Sequence, residues 1–203
     1  PVLQPLGALE DARLRDEIAD SAHAYYSSRF ADAHARIAGI MAKYPESAIG
    51  DVLYDFLLLM DGASLGFSGK YTSAVDVLNR LQARIEGGNP DFGPDNLAGV
   101  MALKIDFLEA GSETASAVDE MDTLIARFGG HDQPAVRWHV ESAMQRKALL
   151  LERSGNREQA LMAHRAYVER PRSPGETDTG AWQRLQSALR KQEELERESG
   201  KAG

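Results

Sequence analysis

The stretch "GNREQALMAHRAYVER", residues 155–170, decides the fold. A glycine opens a charged turn. Ala160, His164 and Tyr167 then follow at helical spacing, so the three share one face. A small side chain at one level lets a second helix come close, and large ones at the next levels grip it. The stretch therefore reads as the second half of a helical hairpin.

Three other stretches have the same form. "FADAHARIAGIMAKYP" (30–45) carries Ala33, Ile37, Ile40 and Pro45, and "YTSAVDVLNRLQARIE" (71–86) carries Ala74, Leu78 and Leu81. "ASAVDEMDTLIARF" (115–128) carries Ala117, Met121 and Leu124. The four alanines are 41, 43 and 43 residues apart, a period that means stacked supersecondary units. The last two units agree beyond their apolar positions. Met101, Lys104, Leu108, Glu109, Ala117 and Arg127 recur, 43 residues on, as Met144, Lys147, Leu151, Glu152, Ala160 and Arg170. Amphipathic periodicity would not reproduce Lys, Glu and Arg.

Outside these stretches apolar residues also recur at three- and four-residue intervals, and strand-type alternation is missing. Glycine, proline and asparagine clusters at 43–47, 66–71, 86–96, 109–114, 128–134, 153–158 and 170–180 break the pattern into about nine helices. Ser47, Asp95 and Asp132 are expected N-caps. "VLYDFLLLMDGASLGF" (52–67) is the most apolar run, but Asp55 and Asp61 interrupt it, which predicts a buried helix rather than a membrane span.

The pattern resembles the tetratricopeptide repeat (TPR), a helix-turn-helix unit with small, large and proline residues at set places. The second repeat fits best, with Gly62, Leu65, Gly69, Tyr71, Ala74 and Leu78. The first carries Ser21, Ala24, Phe30, Ala33, Ile37, Ile40 and Pro45, and the fourth Ala148, Leu151, Gly155, Ala160 and Tyr167. The third departs, with Ile105 at the small site and Gly111 one place early. The period is also longer than the ~34 residues of the TPR, and a helical-hairpin repeat of about 40 to 47 residues is the other family that fits. The extra residues fall to longer helices and connections.

The resemblance implies an all-α fold, an α-solenoid of four TPR-like hairpins at about 10–46, 47–88, 95–130 and 133–172, within one domain spanning 1–203. A capping helix at about 179–199 follows, with Trp182, Leu185, Leu189 and Leu195 on an otherwise charged segment. It also implies partner binding along a concave groove of first helices. The matching positions include Tyr25, Tyr26 and Ile18, then Phe56, Leu59, Ala63, Gly66 and Phe67, then Glu109, and finally Gln145, Glu152 and Arg153. That groove would be aromatic toward its first half and polar, mostly acidic, toward its second.

Composition narrows the chemistry. Lys and Arg number 23 against 31 Asp and Glu, a net charge of −8 that repels phosphate backbones and favours a basic protein or peptide partner. With no cysteine there is no disulfide, thiolate or zinc-thiolate chemistry. That absence suits the cytoplasm, the first choice, and the bacterial envelope alike. The five histidines, His23, His34, His131, His139 and His164, form no ligand pattern, and His164 takes the large apolar place of its repeat. "NPDFGPDN" (89–96) lacks the calcium-loop spacing. Glu109 and Glu152 could form a carboxylate pair, but repetition alone explains them. No phosphate loop or nucleophile motif is present. The reading is a non-enzymatic interaction scaffold without cofactor or metal. The alternative is a regulatory or recruiting domain of a larger enzyme or bacterial envelope assembly protein, since a chain starting at Pro1 leaves room for a leader or further domain.

Overall fold

The computed structural model describes residues 11–87, 92–170 and 179–200. Every regular element among them is a helix. These are α1 Ala12–Tyr26, α2 Phe30–Lys43, the single turn α3 Glu46–Ile49, α4 Asp51–Phe67, α5 Tyr71–Glu86, α6 Pro94–Ala110, α7 Thr114–Phe128, α8 Pro134–Arg153, α9 Arg157–Glu169 and α10 Thr179–Gly200. They fall into an N-terminal unit, Pro1–Glu113, and a C-terminal unit, Thr114–Gly203. In the first, α1 pairs with α2, α4 packs on α2 and α5, and α6 packs on α5. In the second, α8 packs on α7 and α9, and α10 packs on α9. No helix among the described residues is long and apolar enough to cross a membrane.

One turn design generates the repeat. Ser28, Gly69, Ser112 and Gly155 all have positive φ, at 58°, 81°, 63° and 80°. Each sits second in a three-residue turn. The amide of the following residue donates back to the carbonyl five residues earlier: Arg29 to Ala24, Lys70 to Leu65, Glu113 to Leu108 and Asn156 to Leu151, at 2.8–2.9 Å. This left-handed closure satisfies the last carbonyls of the helix while reversing the chain. Five residues after each left-handed residue stands Ala33, Ala74, Ala117 or Ala160, every one fully buried. Gly62 shows how tight the crossing is. A Cβ there would lie 2.8 Å from Leu78, which is itself fully buried and cannot yield.

The third repeat's apparently misplaced Gly111 is thus resolved, because Ser112 holds the left-handed position. The turn at Ser27–Arg29 carries no glycine, and the one-turn α3 likewise has no strong sequence signal. Gly50, at φ 83°, separates α3 from α4, and the buried Ile49 of α3 joins the core of Leu14, Ile18, Ile37, Leu53 and Leu57.

The three expected caps are corrected. Pro94 and Pro134 occupy the first turns of α6 and α8, so Gly93 and Gln133 become the cap residues and Asp95 lies inside its helix. Asp132 lies one position too early. Ser47 lies within α3, which Pro45 caps. Asp11 caps α1, accepting from the amides of Arg13 and Leu14 at 2.9 and 3.1 Å. Asp91 and the side chains of Trp182 and Leu185 lie outside the described residues.

The run 52–67 is indeed a buried helix, α4, with both faces covered. Its two acids are each held by a neighbouring helix. Asp55, with no exposed surface, pairs with Arg84 of α5, which also lies 2.5 Å from Glu46 and 4.9 Å over the Tyr54 ring. Asp61 lies 2.6 Å from His34 Nδ1 on α2.

Two outcomes follow from these contacts. Ser28→Gly and Ser112→Gly each remove the left-handed cost of a side chain, and, after the entropy glycine gains in the unfolded chain, each should raise stability by about 0.5 kcal/mol. Arg84→Met strips the guanidinium from a buried carboxylate and should cost about 3 kcal/mol. Urea unfolding midpoints check both; unchanged midpoints would refute the turn and ion-pair assignments respectively.

Candidate functional site

In the N-terminal unit the ends of α1, α4 and α6 and the starts of α2 and α5 bring six rings into one row. Tyr25 lies 5.3 Å from Tyr26 and 5.8 Å from Phe30, both edge-on. Phe30 lies 5.0 Å from Phe67, Phe67 lies 5.6 Å from Phe107, and Phe107 stacks on Tyr71 at 6.5 Å. The turn design places them, since it ends one helix and begins the next at the same edge. The row can exist only because Gly66 has no side chain: a Cβ there would lie 2.1–2.4 Å from three carbons of the Phe107 ring, well inside van der Waals contact.

The row is not closed over. Tyr26 is 67% exposed and Phe67 54%, while Phe107 is buried beneath them. An aromatic patch with a buried base and an exposed crest is rigid and costs little side-chain entropy on contact. Burial lifts the Tyr25 phenol above its usual titration range, with Tyr26 adding to the effect.

Charge is unevenly shared. The N-terminal unit has nine Lys and Arg against seventeen Asp and Glu, whereas the C-terminal unit has fourteen of each. The whole net charge of −8 therefore belongs to the unit that bears the aromatic row.

Of the expected groove residues, the structure brings Tyr25, Tyr26 and Phe67 together, with Phe30 as the bridge. Phe56 is half-buried against the N-terminal core, and Leu59 is also half-buried. Ile18, Ala63 and Gly66 are buried among helices and line no surface, a correction to the position-by-position transfer. Glu109 is half-buried near the end of α6. In the C-terminal unit Gln145 is half-buried and Arg153 exposed. Glu152 is engaged internally: its Oε1 lies 3.1 Å from Lys191 of α10 and its Oε2 3.9 Å from His164 of α9. His164 is a packed histidine, 3% exposed.

Phe30, Tyr71 and Phe107 were not among the expected contacts. The first two leave a trace in the sequence, because Tyr26 and Phe67, and Phe30 and Tyr71, are repeat-equivalent pairs 41 residues apart that the later repeats replace with Ala110, Arg153, Thr114 and Arg157. Trp138 was also missed. It is 61% exposed on α8 and lies one turn before Ser142 on the stripe that continues to Gln145, Leu149 and Glu152. A cleft of about 540 Å³ in the same unit is lined by Phe128, His131, Met144 and the Arg137–Glu141–Arg170 network, in which Arg170 lies 2.6 Å from Glu141.

Two solved structures resemble the chain over nearly its whole length. One is a Podosopora anserina kinesin-light-chain candidate with nearly identical TPR-like repeats, 12% identical, matched over 91% of this chain and 90% of that one with a TM-score of 0.58. The other is a variant of the same protein, 13% identical over 92% of each chain, with a TM-score of 0.57. The fold is TPR-like. No protein-family model and no curated protein matches the sequence. The likeness is one of fold, and a fold by itself does not fix a function.

Gly66→Ala should push Phe107 out of the aromatic row and destabilise the N-terminal unit by about 1–3 kcal/mol through overpacking. Near-ultraviolet circular dichroism and urea unfolding measure the two effects. An unaltered aromatic signal with wild-type stability would show that Phe107 does not rest on Gly66.

Proposed function

We propose that the chain is a non-enzymatic protein-interaction module whose aromatic row, crested by Tyr26 and Phe67, seats a segment of a partner protein. The observation that carries this reading is the pair of large exposed rings on a buried aromatic base, since such rings are the usual dominant anchors of an interface. Tyr25 and Phe30 support the crest, and Phe56 and Leu59 extend the same half of the expected groove.

The partner segment is basic with apolar anchors. The acidic balance of the N-terminal unit speeds the approach of a cation-rich segment, and Glu109, two residues beyond Phe107, lies near the end of the row. Gln145, Arg153 and Trp138 on α8 supply further polar and aromatic contacts in the C-terminal unit. Glu152 contributes less, because Lys191 already engages it.

Affinity capture from the native source with wild type and with Tyr26→Ala/Phe67→Ser tests the reading, thermal melts having shown that the variant is folded. The variant should retain the wild-type partner at least about tenfold less well, the scale of losing an anchor at an interface. Equal retention by both would overturn the row as the docking site. A wild-type capture unchanged between low and high salt would overturn the basic character of the partner.

A further inference from the structure

The fourth repeat breaks its own layer. Ile37, Leu78, Met121 and His164 are repeat-equivalent; the first three are fully buried aliphatic side chains, and the fourth is an imidazole 3% exposed. His164 Nε2 has no hydrogen-bond partner. It faces Glu152 Oε2 at 3.9 Å, and that oxygen is likewise buried without one. The other oxygen of the same carboxylate holds Lys191 of α10 at 3.1 Å. Three helices thus meet at one carboxylate. Beside it Leu195 of α10 is buried against Leu151 of α8 and Ala160 of α9.

We propose that His164, Glu152 and Lys191 form an acid-sensitive latch, in which protonation of His164 loosens α10 from α8 and α9 and uncovers the apolar surface around Leu151, Ala160 and Leu161. A proton on Nε2 puts a cation in a buried site and competes with Lys191 for Glu152, so the carboxylate can no longer serve α10 alone. Among the described residues the charged groups acting on the imidazole are Glu152 from α8, which favours the charged form, and Lys191 from α10, which opposes it.

The direction follows from burial. Desolvation is the largest influence on His164 and holds its pKa below the ordinary 6.5, outweighing the attraction of Glu152. The hydrogen bond to Glu152 correspondingly raises Lys191 above its usual value. A group whose folded pKa is depressed binds its proton more readily once released. Its contribution to the seating of α10 is therefore complete above pH 6.5 and declines as the pH falls toward the folded value.

Hydrogen exchange of the α10 amides, corrected for the intrinsic pH dependence of exchange, measures the opening directly. Between pH 7.5 and 5.5 the opening constant of wild type should rise, by at most about tenfold per pH unit for one proton, relative to His164→Met, which restores the side chain of the equivalent Met121. An identical pH dependence in wild type and His164→Met overturns the latch. Should the variant fail to fold, the imidazole titration of wild type by nuclear magnetic resonance decides: a His164 pKa below 6.5 with α10 resonances shifting at the same midpoint supports the proposal. A pKa at or above 6.5, or α10 resonances that do not follow it, overturns the proposal.

Discussion

A residue in the left-handed conformation at the centre of each hairpin turn is the constraint from which the rest of this structure follows. At Ser28, Gly69, Ser112 and Gly155 the chain reverses with the same backbone hydrogen bonds. The following helix consequently starts in the same place each time, and its fifth residue after the reversal always meets the preceding helix. Only a small side chain fits at that crossing, which is why four fully buried alanines mark the period. The aromatic row depends on the same geometry, because helix ends and starts gather at one edge of the N-terminal unit.

Much of this is legible in the sequence, since it concerns spacing. The alanine period, the seven breaks and the burial of residues 52–67 all express side-chain size and helical periodicity, which are local properties. The turn at Ser27–Arg29 is less legible because serine occupies a conformation usually announced by glycine. The caps expected at Asp95 and Asp132 are displaced because Pro94 and Pro134, by fixing the first helical residue, shift the cap to whatever precedes them. For the candidate site the resemblance points to helix-end residues Tyr25, Tyr26 and Phe67, which lie in one row, and to Ile18, Ala63 and Gly66, which are buried. Depth depends on which ring lies over which backbone, as Phe107 does over Gly66, and no spacing within one helix encodes that.

The two units divide the chemistry between them. The N-terminal unit holds all the net charge and the exposed pair Tyr26 and Phe67, and its buried acids Asp55 and Asp61 are satisfied by close partners. The C-terminal unit is neutral overall, and it carries a buried imidazole where every other repeat has an apolar side chain. An aliphatic residue at that place would satisfy packing alone, so the histidine is a departure from the economy of the other three repeats rather than a product of it.

The two buried acids of α4, Asp55 and Asp61, have a consequence for the ancestry and engineering of such arrays. Asp55 reaches toward α5 and Asp61 toward α2, so the most apolar helix of the chain is keyed to a different partner on each side. Repeats in a uniform array can be duplicated, deleted or reordered because every junction is alike. Here a transplanted second repeat would keep its own Asp55–Arg84 pair but carry the buried Asp61 into a junction lacking His34, and a substitute in its place would leave His34 and Glu46 without Asp61 and Arg84. The second repeat is therefore bound to its position by charge, even though its shape would allow it anywhere in the row.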